Sequence, residues 1–290
     1  MKKEYIYAAI SIFCWSTVAT VSKLLLGSLD SMQILFVSSL VATVFLLFLN
    51  IAKGTLKKIR ALSALDFLKL FVIGTLGIFL YHLFLYMGID RMDASQAFII
   101  NYLWPIMSVI FACIILKEKV TARRAIAIVL SFLGVIIVTT GGNFSSLAIE
   151  SISGSLLCVL AAVCFGLYTA LNKRESFDQL LSMLVFYFFS MVAAFIYCVM
   201  TKASFAFSPA EIGGLLWIGV FTTAVPYVTW ALALESGDTA KVSNLAYITP
   251  FLSLVWTTLI LREDFKITSL IGLAVIISGV LLQLGGKKKN

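Results

Sequence analysis

Residues 101–108 read NYLWPIMS, and residues 246–253 read AYITPFLS. Both sit inside apolar runs, the first between AFII and VIFACIIL. They share Tyr-x-x-Pro-x-x-Ser: Tyr102, Pro105 and Ser108 against Tyr247, Pro250 and Ser253. A proline inside a helix deletes one backbone hydrogen bond and crowds the carbonyl four residues back. Pro105 is therefore expected to kink its helix and free the carbonyl of Asn101, and Pro250 that of Ala246. In lipid a freed carbonyl needs a partner or a wet cavity. Asn101, Trp104, Pro105 and Ser108 share one helical face, and a polar, aromatic, kinked face suits a cavity wall. A kink used only for packing is the plainer alternative.

The echo extends outward. One constant offset carries Gly74 to Gly219, Asp93 to Asp238, Tyr102 to Tyr247, Pro105 to Pro250, Glu118 to Glu263 and Gly134-Val135 to Gly279-Val280. A slightly larger offset carries Cys14 to Cys164 and Lys23 to Lys173. The chain reads as two copies of one unit, at 1–143 and 150–290.

Composition says where such a chain lives. Its 290 residues are 61% hydrophobic and 12% charged, with mean hydropathy +1.05. Soluble domains carry about 25% charged residues. A spanning helix needs about 20 apolar residues, and such runs recur at roughly 5–26, 32–51, 67–89, 94–116, 122–140, 152–172, 179–200, 212–234, 240–261 and 267–284. The fold class expected is an all-α membrane protein of ten transmembrane helices, arranged as two five-helix repeats. Five is odd, so the copies cross in opposite directions, an inverted repeat typical of secondary transporters. A duplicated scaffold without transport is the alternative.

The net charge of +8 is an orientation signal. Lys2, Lys3, the Lys53–Lys69 segment, Lys117–Arg124, Lys173, Arg174, Lys241 and Lys287–Lys289 fall on one side. Only Lys23, Arg91, Lys202, Arg262 and Lys266 fall on the other. The positive-inside rule puts both termini in the cytoplasm, and nucleic acid is not an expected partner. The apolar run after Lys2-Lys3 outlasts a signal-peptide core and reads as an uncleaved first span of an inner- or plasma-membrane, multi-pass protein.

The third span holds the one histidine, in YHLFLYMG at 81–88. Tyr81, His82 and Tyr86 crowd one turn, and Tyr227 with Trp230 stands at the equivalent place in the second copy. Ionisable groups inside a span mark substrate or proton pathways. A hydrogen-bonded packing histidine and interfacial aromatic belts are the alternatives, and depth in the span favours a cavity. The first span adds Trp15, Ser16, Thr17 and Thr20; the sixth, Tyr168 and Asn172; the ninth, Ser243, Asn244 and Tyr247. Ser and Thr in such helices more often make helix contacts. The substrate-binding set is thus Trp15, Tyr81, His82, Tyr86, Asn101, Trp104, Ser108, Tyr168, Tyr227, Trp230, Asn244 and Tyr247, with helix kinks at Pro105 and Pro250. His82, Glu118 and Glu263 are candidates for coupling or gating. Glu118 beside Lys117, and Glu263 beside Arg262, read most plainly as interfacial ion pairs. Asp93 and Asp238 read as helix caps, and Ala127, Ser131, Gly134, Gly272, Ser278 and Gly279 as a close-packed contact of the fifth and tenth spans.

Cys14, Cys113, Cys158, Cys164 and Cys198 all fall in spans without a C-x-x-C pair, so neither metal nor disulfide is expected. The sequence has no P-loop and no H-E-x-x-H, and no acid pair lies at mid-span. No cofactor and no enzyme activity are expected. The partners implied are a small-molecule substrate and membrane lipids, with a monomer or a homodimer equally open.

The Pro105…Glu118…Gly134 and Pro250…Glu263…Gly279 spacing in twin repeats resembles the EamA type of the drug/metabolite transporter superfamily. NYLWP with YHLFLY is similar to its YddG-like aromatic amino-acid exporters. The resemblance implies a central cavity between helices 1, 3, 4, 6, 8 and 9. Two places depart from the family pattern: Ser38 and Ser39 where many members carry an arginine, and Trp15-Ser16 where Trp-Gly is common. The function expected is a secondary transporter exporting amphipathic metabolites, aromatic amino acids foremost, by alternating access. Export of nucleosides, sugars or cations, and a non-transporting scaffold or receptor, are the alternatives.

Overall fold

The computed structural model describes residues 2–89, 91, 97, 100–147, 151–175, 177–262 and 267–284. Among them every regular element is helical: α1 Lys3–Ser16, α2 Val18–Leu26, α3 Ser31–Lys53, α4 Ala64–Gly74, α5 Tyr81–Ile89, α6 Trp104–Ile115, α7 Ala122–Thr140, α8 Ile152–Glu175, α9 Gln179–Met200, α10 Pro209–Trp217, α11 Val225–Ser236, α12 Thr239–Leu245, α13 Thr249–Leu261 and α14 Thr268–Leu284, with short 3-10 and π turns between. Seven helical stretches are long and apolar enough to cross a membrane, and Trp104–Ile115 and Leu270–Leu282 are shorter apolar helices. The seven coincide with expected spans. The outer faces carry exposed Phe13, Phe48, Leu156, Ile196 and Met200, side chains that lipid and not water would solvate.

Helix starts are capped by the residues that local chemistry favours. Asp30 accepts from the amides of Met32 and Gln33 at 2.7 and 2.9 Å, and Gln33 Oε1 accepts from the Asp30 amide at 2.8 Å. Ser63 with Asp66, and Ser208 with Glu211, form the same reciprocal box. Asp238 accepts from the Lys241 amide at 3.1 Å, which is the capping role its position implied. Its presumed counterpart Asp93 lies outside the described residues. Gly54, at φ 68°, ends α3 in the left-handed conformation that a side chain would resist.

Packing joins early helices to late ones. The broadest contacts are α7 with α14, α3 with α9, α6 with α8, α1 with α11, and α5 with α8. Each of the five joins a helix before residue 143 to one after residue 150. The backbone repeats itself too. A π turn follows α4 at Thr75–Leu80, and another follows α10 at Ile218–Ala224. Gly74, at the start of the first, and Gly219, inside the second, are a pair that the sequence offset matches.

The prolines do not bend continuous helices. Pro105 lies in the first turn of α6, after a turn at residues 102–103. Pro250 lies in the first turn of α13, after the 3-10 turn Ala246–Ile248. The expected kinks are therefore breaks, with each proline where a helix start has no use for an N–H.

The α7–α14 contact depends on absent side chains. A Cβ on Gly134 would lie 2.6 Å from Ile276 Cγ1 and 2.8 Å from the Gly272 carbonyl. Ser278 is not part of this seam; it is exposed, with its hydroxyl on the Ala274 carbonyl at 2.7 Å. Gly134→Leu should overpack the seam and cost about 1–3 kcal/mol, read as a lower Tm in detergent. Ser278→Leu should leave Tm nearly unchanged.

Candidate functional site

The helix breaks surround a cavity of about 580 Å³. Its wall draws Trp15 from α1, Tyr81, His82 and Tyr86 from α5, Phe165 from α8 and Tyr227 from α11. Asn101 and Tyr102 come from the break before α6, and Trp104 is the first residue of α6. The family resemblance implied the first, third, fourth, sixth, eighth and ninth of the ten expected spans; outside these, α3 (the second expected span) contributes Leu35 and Ser38, and α9 (the seventh) contributes Tyr187. Thr222 and Thr223, on the second π turn, and Thr249 complete the polar lining. Lys23, Leu26 and Gly27, at the far end of α2, line the mouth.

Aromatic rings form the floor. Trp15 stands 6.1 Å from Trp104, 6.3 Å from Phe165 and 5.7 Å from Tyr227, centre to centre and edge to face. Trp104 and Phe165 are 4.8 Å apart, and Tyr187 meets Tyr227 at 5.7 Å. Edge-to-face pairs at this spacing are favourable, so the floor is stiff, and its apolar surface suits a flat ring.

The polar wall is organised by α5. His82 Nδ1 lies 2.6 Å from the Ile78 carbonyl oxygen. Asn101 Nδ2 donates to the Tyr81 hydroxyl at 3.2 Å, and Asn101 Oδ1 has no protein partner although the residue is buried. Tyr81 packs against His82 at 4.9 Å, which in turn meets Tyr86 at 5.9 Å.

Five residues of the expected binding set lie behind this wall. Tyr168 backs the floor, packed on Phe165 and Tyr227, with its hydroxyl 3.6 Å from Met183 Sδ. Trp230 supports Trp15 and Trp104 from behind, 5.2 and 5.4 Å away. Ser108 donates to the Trp104 carbonyl at 2.9 Å. Asn244 is wholly buried, and neither amide atom has a partner. Tyr247 turns toward α7, 6.2 Å from Phe132. Ser16 and Thr17 serve the fold, accepting from Trp256 Nε1 at 2.8 Å and Trp217 Nε1 at 3.1 Å. Lining residues that the sequence reading passed over, Phe165, Tyr187, Thr222 and Thr223, carry little local signal in so apolar a chain. The Thr-Thr pair shortly before Tyr227 was the one hint.

A cluster of ion pairs lies at the end of the bundle away from Lys23. Glu118 does not pair with its neighbour Lys117. Its carboxylate accepts from Lys173 Nζ at 2.9 Å and from the Thr239 hydroxyl at 2.8 Å. Lys173 also donates to the Gly237 carbonyl at 2.8 Å. Arg124 pairs with Asp238 at 2.8 Å, Lys69 with Glu175 and Lys58 with Asp178 at 2.6 Å each. Each of these four pairs joins a residue before 143 to one after 150. Glu263 lies outside the described residues.

Known proteins place this geometry. The model of the EamA-like transporter family matches residues 2–140 and again 152–285. The chain belongs to the EamA-like transporter family and is a multi-pass membrane protein, a transporter and not an enzyme. A Clostridium kluyveri protein named only as an uncharacterized transporter is 27% identical, over 100% of this chain and 95% of its own. The aromatic amino acid exporter YddG of Ancylobacter novellus is 24% identical, over 70% of this chain and 71% of its own. A crystal structure at 18% identity superposes with a TM-score of 0.87 over 98% of both chains, a likeness of fold.

The Glu118–Lys173 tie is partly shielded, with side chains 23% and 18% exposed. A double-mutant cycle of Glu118→Ala and Lys173→Ala, followed by thermal unfolding, should give a coupling of about 0.5–2 kcal/mol. Additive effects would reduce the pair to a surface ornament.

Proposed function

We propose that the protein is a secondary transporter that exports small amphipathic metabolites, aromatic amino acids foremost, by alternating access through the cavity above. One observation carries the reading: a chamber of about 580 Å³ has an aromatic floor and a polar wall; the ion pairs at the far end of the bundle, between residues before 143 and after 150, are on this reading what closes it. The volume lies in the range of about 300–1,000 Å³ usual for small-ligand sites. The basic segments sit at the closed end, and the positive-inside rule makes that end cytoplasmic, so this conformation faces outward.

The matched helix contacts and the twin π turns support two copies related by a two-fold axis. Ten spans with both termini inside follow from that reading. If the copies are interchangeable, a second state at similar energy exchanges their roles, breaking the Glu118–Lys173 group and opening the cytoplasmic end. The relative named as an aromatic amino acid exporter supports the cargo, as does the ring-lined floor. No carboxylate lies among the described lining residues, which disfavours cationic cargo, since a desolvated cation seeks a counter-charge.

Purified protein in liposomes should accumulate labelled tryptophan, phenylalanine or tyrosine above empty vesicles. Folded protein that moves no amphipathic metabolite at all would overturn the reading. His82→Ala should lower transport about tenfold or more while Tm moves by only a few degrees, the cost of about one lost hydrogen bond. Equal loss of fold and transport would make His82 a packing residue.

A further inference from the structure

We infer that a second cavity, at the ion-paired end of the bundle, binds one membrane phospholipid and selects a phosphoethanolamine headgroup. This crevice of about 740 Å³ lies between α3, α9 and α11, beside the 3-10 turn Thr55–Ala61. No residue lines both it and the aromatic chamber. It exists because α3, which packs on α9 and on the second π turn, makes little contact with α11 itself.

The lining is graded along the helices. Lys53 is the last residue of α3, and Leu49 stands one turn deeper on the same face. Glu235 lies in the last turn of α11, with Leu232 and Val228 one and two turns deeper on its face. Asp178 caps the start of α9, accepting from the Leu181 amide at 3.1 Å. Charge therefore sits at the helix ends and apolar surface further in, the order in which a phospholipid presents its headgroup and its acyl chains.

Charge then picks the headgroup. Of the four charged side chains in the lining, Lys58 is committed to Asp178 at 2.6 Å. Lys53 and Glu235 are exposed, and neither pairs with a described residue. What remains is one cation and one anion above an apolar groove. A phosphate answers Lys53 and a primary ammonium answers Glu235, each through charge-assisted hydrogen bonds. A choline nitrogen has no N–H to give the carboxylate, and a glycerol headgroup brings it no positive charge. Basic pockets between membrane helices take anionic headgroups; the Glu235 carboxylate turns this one toward a zwitterion. Lys53 precedes residue 143 and Glu235 follows residue 150, so a bound headgroup links the same two parts of the chain that the ion pairs link.

Titration of the delipidated, detergent-purified full chain, followed by native mass spectrometry, tests this with phosphatidylethanolamine, phosphatidylcholine and phosphatidylglycerol of identical acyl chains. One phosphatidylethanolamine should bind at least about tenfold more tightly than either of the others, the scale of one charge-assisted hydrogen bond. Glu235→Gln should remove that preference, and Lys53→Ala should weaken all three lipids by a similar factor. Soluble phosphoethanolamine, which lacks chains, should not bind at concentrations that saturate with the lipid. The comparison of lipids on the unaltered protein needs no variant to fold. Equal affinity for the three lipids, tightest binding of phosphatidylglycerol, or a preference that survives Glu235→Gln would overturn the assignment. Phosphoethanolamine binding as tightly as the lipid would make the occupant a soluble phosphate ester and overturn it as well. Every one of these outcomes leaves the aromatic-cargo reading untouched.

Discussion

A peptide carbonyl inside hydrocarbon has no water to turn to, and wherever this backbone leaves the α-helix something else must donate to it. The breaks meet that demand with side chains. At the α1–α2 break, Ser16 and Thr17 donate to the carbonyls of Phe13 and Cys14, at 2.6 and 2.8 Å. At the first π turn His82 serves Ile78, and at the second Thr222 serves Ile218 while Tyr187 reaches Thr223. In the first turn of α11 the Pro226 carbonyl accepts from Ser11 at 2.9 Å. The polar residues of the spans are first of all the means by which irregular backbone survives at depth.

That constraint also shapes the cavity. Irregular backbone at membrane depth is tolerated where it is buried in protein or lines a wet space, and here the breaks converge on one chamber. The donors that stabilise the breaks are used up in doing so.

Early and late helices hold each other: α3 packs on α9 and α7 on α14, while α1 meets α11 and α5 meets α8. Glu118, Arg124, Lys69 and Lys58 each find a partner after residue 150. The aromatic floor, where Trp15 meets Phe165 and Tyr227, lies across the same divide.

The sequence by itself determined that the chain is a helical membrane protein. That follows from composition, because about 20 apolar residues suffice for a span whatever surrounds them. The echo between residues 101–108 and 246–253 marked where the backbone is interrupted, since proline acts locally. Of the candidates read from the sequence, Trp15, Tyr81, His82, Tyr86, Asn101, Trp104 and Tyr227 line the cavity: Asn101 and Trp104 shared a face with Pro105, and His82 and Tyr227 lay deep in their spans. Tertiary structure decided which side of its helix each remaining residue faces. In a span that is apolar all round, no stripe distinguishes lipid from protein, so Tyr247 could turn to α7, Trp230 could stand behind Trp15, and Tyr187 could enter the wall unannounced. It decided as well that Glu118 takes Lys173 and not Lys117, because that partner comes near only once α6, α8 and α12 have packed together.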